Sequence, residues 1–398
     1  MNHVTLKCPF FFLLILAGGL LVSCGQPDLS DERYFPLPEN EPEVMRAGGQ
    51  AFAADTVVTG LERPYSFAFL PDGRVLITER RGAIRIVENG EMLEEAVSGD
   101  LPPQLREIVL HPDYETNGWI YISWYQDPGE EDGGYYQLMR GRLDGDRWTD
   151  REDLYRAGPF ERDGEYTGSR IVFDREGYLY LLVPIRGDRM NAQDLMHLSG
   201  KTMRLYDDGS IPADNPFFGR EDALPEIFTW GHREHQGLAL HPETGELWST
   251  EHGEFGGDEL NILKAGRNYG WPIASWSREY RDQETPVSED PLLEGTEPPI
   301  HYWTPSIVPS GFTFVTSDRY PAWKGSILVS SLTHLVPVES PQRLLNLSML
   351  AGEQVIEDHV VIEAEGRTRT VKQAPDGFVY FVVEDSGVMI RLLPAQYD

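Results

Sequence analysis

Short apolar runs rich in Val, Ile, Leu, Tyr and Phe recur along the chain, and each is introduced by a turn that carries glycine. Phe69-Leu70-Pro71-Asp72-Gly73 leads into Val75-Leu76-Ile77, and His111-Pro112-Asp113 with Asn117-Gly118 leads into Trp119-Ile120-Tyr121-Ile122. The same device returns at Phe173 to Gly177 with Tyr178-Leu179-Tyr180, at His241 to Gly245 with Leu247-Trp248, at Lys324-Gly325 with Ile327-Leu328-Val329, and at Pro375-Asp376-Gly377 with Val379-Tyr380-Phe381. Apolar residues bounded by Pro, Asp and Gly read as strands joined by tight hairpins. A further short strand follows most of them: Ile84-Arg85-Ile86, Met139 to Leu143, Met203-Arg204-Leu205, Leu260 to Leu263, Leu344-Leu345 and Ile390-Arg391-Leu392.

The repeating unit is therefore a β-meander. The turn glycines at 73, 118, 177, 245, 325 and 377 have a loose period, as expected when connections on one face differ between repeats. Six units predict an all-β protein, a six-bladed β-propeller of four-stranded antiparallel meanders. Radial closure also leaves no long sheet edge to protect. A pair of β-sandwiches or a β-helix accounts less well for meanders separated by long Gly-, Pro- and Asp-rich connections. Helix-period patterning is too scarce for an α/β barrel.

The N-terminus departs from this pattern. Lys7 precedes an apolar stretch, Phe10 to Val22, that is too short to span a bilayer and suits a secretory signal. It ends at Leu21-Val22-Ser23-Cys24, which resembles the bacterial lipobox. The expected organisation is a signal peptide over 1–23, a lipidated Cys24 with an acidic, Pro-rich tether over 24–50, and the propeller over 51–398. Cys8 leaves with the signal, so no disulfide is expected and the core must stabilise the fold. The protein would be an exported lipoprotein, facing the periplasm or the cell surface and held to the membrane only by the lipid on Cys24.

Charge narrows the partners. The 398 residues carry 65 Asp and Glu against 34 Lys and Arg, a net charge of −31, with no basic run longer than Arg80-Arg81. Such a surface repels a phosphate backbone, so nucleic acid is excluded. The chain also has no Gly-x-Ser-x-Gly elbow, no His-Glu-x-x-His and no phosphate-cradling Gly-Lys-Thr loop. A calcium-dependent lactonase on a propeller would need Asp188, Asn191, Asp194 and Glu234 to converge.

An ordered set of motifs resembles the soluble glucose/aldose sugar dehydrogenase family. It comprises Gly60 to Pro64, Thr78-Glu79-Arg80, Ala192 to Leu195, Gly231-His232-Arg233, Glu251-His252-Gly253, Gly257 to Asn261, Asn268 to Pro272, and Tyr302 to Ser306 with Pro309-Ser310-Gly311. The resemblance implies a sugar substrate, pyrroloquinoline quinone (PQQ) as hydride acceptor and calcium in a central cleft. It implies that Arg367 and Arg369 hold the carboxylates of the cofactor, for which paired guanidinium forks are suited, and that Arg233 lies beside it. It assigns Gly253 to the calcium loop, and Glu259 and Tyr269 to a second ion.

The chain departs from the family where the chemistry is most demanding. A sugar C1 hydroxyl must lose a proton as hydride leaves, a task for a His oriented by a carboxylate. Tyr166 occupies the family's His position and Ile185 the position of the orienting Asp. Glu254 replaces a Pro, Glu234 replaces a cofactor-contacting amide, and Gln104 matches a family Gln only with a slip of two residues. Tyr166 would serve as base only if Arg170 or Arg186 depressed its pKa, and His235 is the nearest spare imidazole. Two readings follow: a divergent quinone-dependent sugar dehydrogenase, or a catalytically silent propeller that binds a carbohydrate or an envelope partner.

Overall fold

The computed structural model describes residues 33–40, 42–127, 133–160, 168–332, 343–363 and 366–395. They form six small antiparallel sheets, five of four strands and one of five. The first strands of the sheets, Pro64–Phe69, Leu105–Leu110, Ile171–Phe173, Glu234–Leu240, Pro309–Phe314 and Thr368–Gln373, each touch the first strand of the next sheet, and the last touches the first. The ring is closed, and the protein is a six-bladed β-propeller with these strands innermost.

All six turn glycines sit in the same place, the hairpin between the innermost strand of a blade and its neighbour. Each has a positive φ, from 68° at Gly118 to 95° at Gly73, a conformation that an L side chain resists. The opposite face gathers the starts of the innermost strands and the ends of their neighbours. Arg233, Gly253, Arg367 and Arg369 all lie there because of this topology.

The core is divided into six apolar clusters, one at each blade interface. The run Phe378 to Val383 shows why continuous apolar sequence is needed. Successive strand residues point to opposite faces: Phe378, Tyr380 and Val382 pack toward the first blade, whereas Val379, Phe381 and Val383 pack toward the fifth. Strands such as this one are buried on both faces and read as unbroken apolar runs, whereas the outer strands Arg147–Phe160 and Gln354–Glu363 are largely exposed and polar.

The five-stranded sheet contains both ends of the described chain, in the order Val44–Ala47, Gln50–Val58, Val388–Pro394, Val379–Val383, Thr368–Gln373. Part of the expected tether is thus folded. Val44–Ala47 is an edge strand, and Tyr34 and Phe35 are buried at 2% exposure, with Arg391 donating to the Phe35 and Pro36 carbonyls at 2.9 and 2.7 Å. No helix among the described residues is long and apolar enough to cross a membrane. Cys24 and the signal segment lie outside the described residues.

Candidate functional site

The axis of the propeller is plugged by an ion network. Arg170, ahead of its innermost strand, is buried and donates to the Gln236 carbonyl at 2.7 Å, Glu107 Oε2 at 2.7 Å, Thr370 Oγ1 at 2.6 Å and the Ser310 carbonyl at 3.0 Å. One guanidinium therefore ties its own blade to four others. Below it, Lys372 Nζ reaches Glu107 Oε1 at 2.8 Å, and these two cations hold the Glu107 carboxyl down at about 2 despite its burial. Beyond the plug, on the hairpin face, lies a cavity of about 200 Å³ lined by Val109, Val172, Leu238, Phe312 and Val371.

Above the plug, guanidinium groups outnumber carboxylates. Glu384, at the end of strand Val379–Val383, accepts from Arg63 Nε and Arg80 at 2.9 Å each and from Arg369 Nε, with Arg367 Nε at 3.7 Å. Arg367 also pairs with Asp385 at 2.5 Å. Both arginines of the Arg-x-Arg pair thus reach one carboxylate, on one side of the strand as the spacing predicts. Arg106 joins the cluster at 1% exposure, over the Tyr65 ring at 5.7 Å, with its Nε lacking a hydrogen-bond partner. Burial, together with Arg80 and Arg369 nearby, lowers its pKa to about 10, so it remains a cation at neutral pH.

A second group of predicted residues converges beside it. Arg233, Gly253, Glu259 and Tyr269 line one cavity of about 10 Å³, the space of a single water or ion. Gly253 is required by close approach: a Cβ there would lie 2.0 Å from the Gly256 carbonyl oxygen. Asp258 fixes the loop by accepting from Gly253 N at 2.9 Å and from Ile307 N and Val308 N at 2.8 Å each. The buried carboxylates of Glu251 and Glu259 share Asn261 Nδ2, at 2.8 and 3.2 Å. Burial, and next the Glu251 charge, push the Glu259 carboxyl well above its usual range. Such a pair needs a proton or a cation. Among the described residues no cluster of three or more His, Cys, Asp or Glu surrounds a metal position, so further ligands would have to be backbone carbonyls or water.

Tyr166 lies outside the described residues. The residues that the sequence linked to its role are committed elsewhere. Arg186 bonds to Tyr136 Oη and to Glu234 Oε2 at 3.2 Å, and Glu234 also accepts from Gly168 N at 3.2 Å and Gln236 Nε2 at 2.6 Å. The Glu234 charge is therefore compensated. Ile185 offers only backbone groups, its N–H donated to the Arg233 carbonyl at 2.8 Å and its carbonyl accepting from Arg186 at 2.5 Å. His235 is fully buried, 4.7 Å from His232 in a ring stack that continues to Tyr269, and burial drives its pKa well down. Gln104 has φ 59° and serves Arg106 through its carbonyl at 2.9 Å.

The lactonase cluster does not form. Asp188 accepts from Met190 N, Asp194 accepts from Met196 N, and Asn191 donates to the Arg186 carbonyl, so all three shape their own turns. Sequence reasoning passed over Arg63, Arg80, Arg106 and Glu384 as members of the site. The visible signal was a guanidinium at the start of an innermost strand, or beside the end of the strand that follows it.

An all-β propeller with guanidinium groups gathered at one end of its axis and paired acids beside them offers places for an anion and a cation side by side. The chain belongs to the glucose/sorbosone dehydrogenase family, whose model matches residues 61–391. It is 36% identical to the aldose sugar dehydrogenase YliI of Escherichia coli over 84% of this chain and 91% of that protein. The apo crystal structure of the soluble E. coli aldose sugar dehydrogenase superposes with a TM-score of 0.80 at 33% identity, covering 86% of this chain and all of that one. The PQQ-bound aldose sugar dehydrogenase of Streptomyces coelicolor gives 0.66 at 25% identity, over 86% of this chain and 98% of that one.

Proposed function

We propose that this propeller is an exported lipoprotein that binds a sugar and a polycarboxylate quinone of the PQQ type in the upper cleft, with calcium beside Gly253, Glu259 and Tyr269. The observation that carries the reading is the buried cation surplus: Arg63, Arg80, Arg106, Arg367 and Arg369 around Glu384 and Asp385, with Arg106 Nε unpartnered. A protein of net charge −31 has no structural need to bury three guanidinium groups, those of Arg80, Arg106 and Arg369, beside the half-buried Arg63 and Arg367, and an anionic ligand relieves their mutual repulsion.

When bound, the quinone supplies a hydride acceptor for the C1 carbon of a sugar. The chain's own part is to bind and orient. Arg106 offers its Nε to the ligand's carboxylates, Arg367 and Arg369 reach them in competition with Asp385 and Glu384, and Arg233, over the Trp271 ring at 5.2 Å, closes the side toward the acid pair. The paired acids and the Gly253 loop offer oxygen atoms to a hard cation. Removal of the sugar hydroxyl proton is the step left without its usual residues, because Tyr166 and Ile185 replace the His and its carboxylate. That substitution favours the second reading, a catalytically silent propeller that retains ligand binding.

Calorimetric titration of the anchor-free protein with PQQ and calcium tests the proposal. The expected result is saturable binding that weakens about tenfold or more in Arg106→Ala and Arg369→Ala, since each removes a charge-assisted contact of ~1.5–3 kcal/mol. Absence of binding at every calcium concentration would refute it. If the quinone binds without dye-linked aldose oxidation, the Tyr166→His/Ile185→Asp double variant is expected to raise turnover by ~10²-fold or more. No gain would place the defect elsewhere.

A further inference from the structure

The carboxylate of Glu384 is the most heavily cationic environment in the described protein. It is buried at 2% exposure and receives Arg63, Arg80 and Arg369 directly, with Arg367 close by. These four arginines come from three separate stretches of chain: the entry to the first blade, the end of that blade's second strand, and the start of the last blade's innermost strand. Their guanidinium groups converge on one anion, with Arg367 held also by Asp385 at 2.5 Å. The chain supplies that anion itself, from the end of the strand next to Arg369.

We propose that Glu384 occupies a carboxylate seat of the upper cleft, and so acts as a specificity-determining residue that weakens uptake of polycarboxylate ligands and leaves Arg106 as the principal open seat. This inference rests on the reading that the upper cleft receives an anion. The physical basis is competition. A ligand carboxylate entering the focus of the four arginines must share them with a fixed negative charge at hydrogen-bond distance, at a depth where water screens little. Arg106, by contrast, is spent only on the Gln104 and Leu105 carbonyls and the Gln104 amide oxygen, and has no carboxylate.

The test compares wild type, Glu384→Gln and Glu384→Asp by calorimetry with two probes, citrate and PQQ. Glu384→Gln keeps the shape and removes the charge, and is expected to bind both probes at least about tenfold tighter than wild type, the order of effect of one unscreened like charge. Glu384→Asp keeps the charge but withdraws it by one methylene, and is expected to fall between the two. Tightened citrate binding with no PQQ binding to any variant would uphold the role of Glu384 and overturn the quinone reading. Unchanged or weaker binding of both probes to Glu384→Gln would overturn the role of Glu384, whichever way PQQ behaves in wild type.

Removing a buried carboxylate from four guanidinium groups also threatens folding. Thermal melts therefore accompany the titrations. Glu384→Gln is expected to melt lower than wild type in buffer and to recover more with added citrate than wild type does. A Glu384→Gln protein that citrate fails to rescue, together with a Glu384→Asp protein that binds as wild type does, would refute the proposal without any activity measurement.

Discussion

Glu259 carries a prediction that separates proton from cation. Burial and the neighbouring Glu251 hold its carboxyl well above the ordinary range, so the folded protein keeps a proton there that the unfolded chain releases near pH ~4.3. The contribution of this group to stability is complete below the unfolded pKa and is lost as pH rises through the folded one. A bound cation replaces that proton. Calcium is therefore expected to raise the melting temperature more at pH 8 than at pH 6, and Glu259→Gln to abolish the difference; equal shifts at both pH values would rule out a cation on this carboxylate. Arg170 shows what the sequence withheld at this scale. It was legible only as a cation four residues from Tyr166, because nothing local distinguishes a guanidinium on the axis of a ring from one on its rim. The four blades that it joins contribute Glu107, Gln236, Ser310 and Thr370, far apart in the chain.

The strands and turns were the most legible part of the molecule. Each Gly-bearing turn fell between an innermost strand and the next, since a tight hairpin demands a positive φ and a strand buried on both faces demands unbroken apolar residues. The closing strand escaped notice. Gln50–Val58 pairs with Val388–Pro394, more than 300 residues away, and the Gly48-Gly49 hairpin that joins it to Val44–Ala47 says nothing of that distant partner. Deleting residues up to Val58 exposes the edge of Val388–Pro394 and removes Phe52, fully buried and 5.1 Å from the Trp323 ring. The truncated protein is expected to lose its cooperative melt or to aggregate through that edge, as read by calorimetry and light scattering. A truncated protein that melts as the full chain does would show that the ring closes without it.

At the scale of the whole molecule, composition and fold pull apart. The net charge of −31 belongs to the surface, while the cleft at one end of the axis gathers guanidinium groups. Overall charge argues against a phosphate-backbone partner but gives no hint of a local field of opposite sign, because a sum over the chain loses position. The proposed anchor is a property of the whole molecule too: Cys24→Ser is expected to move the protein from the membrane fraction to the soluble exported fraction, and retention in the membrane would refute lipidation at that residue.

The last sheet has a consequence for the order in which the protein comes into being. Its first two strands leave the ribosome before any complete blade, and their partner, Val388–Pro394, follows all five of the other blades. Until then Gln50–Val58 has no sheet to join, and the apolar cluster shared by the first and last blades lacks one wall. Closure must therefore follow synthesis of the five intervening blades. A chain interrupted at any of the intervening blades is left as an open arc with an unpaired edge, a form suited to removal by proteases.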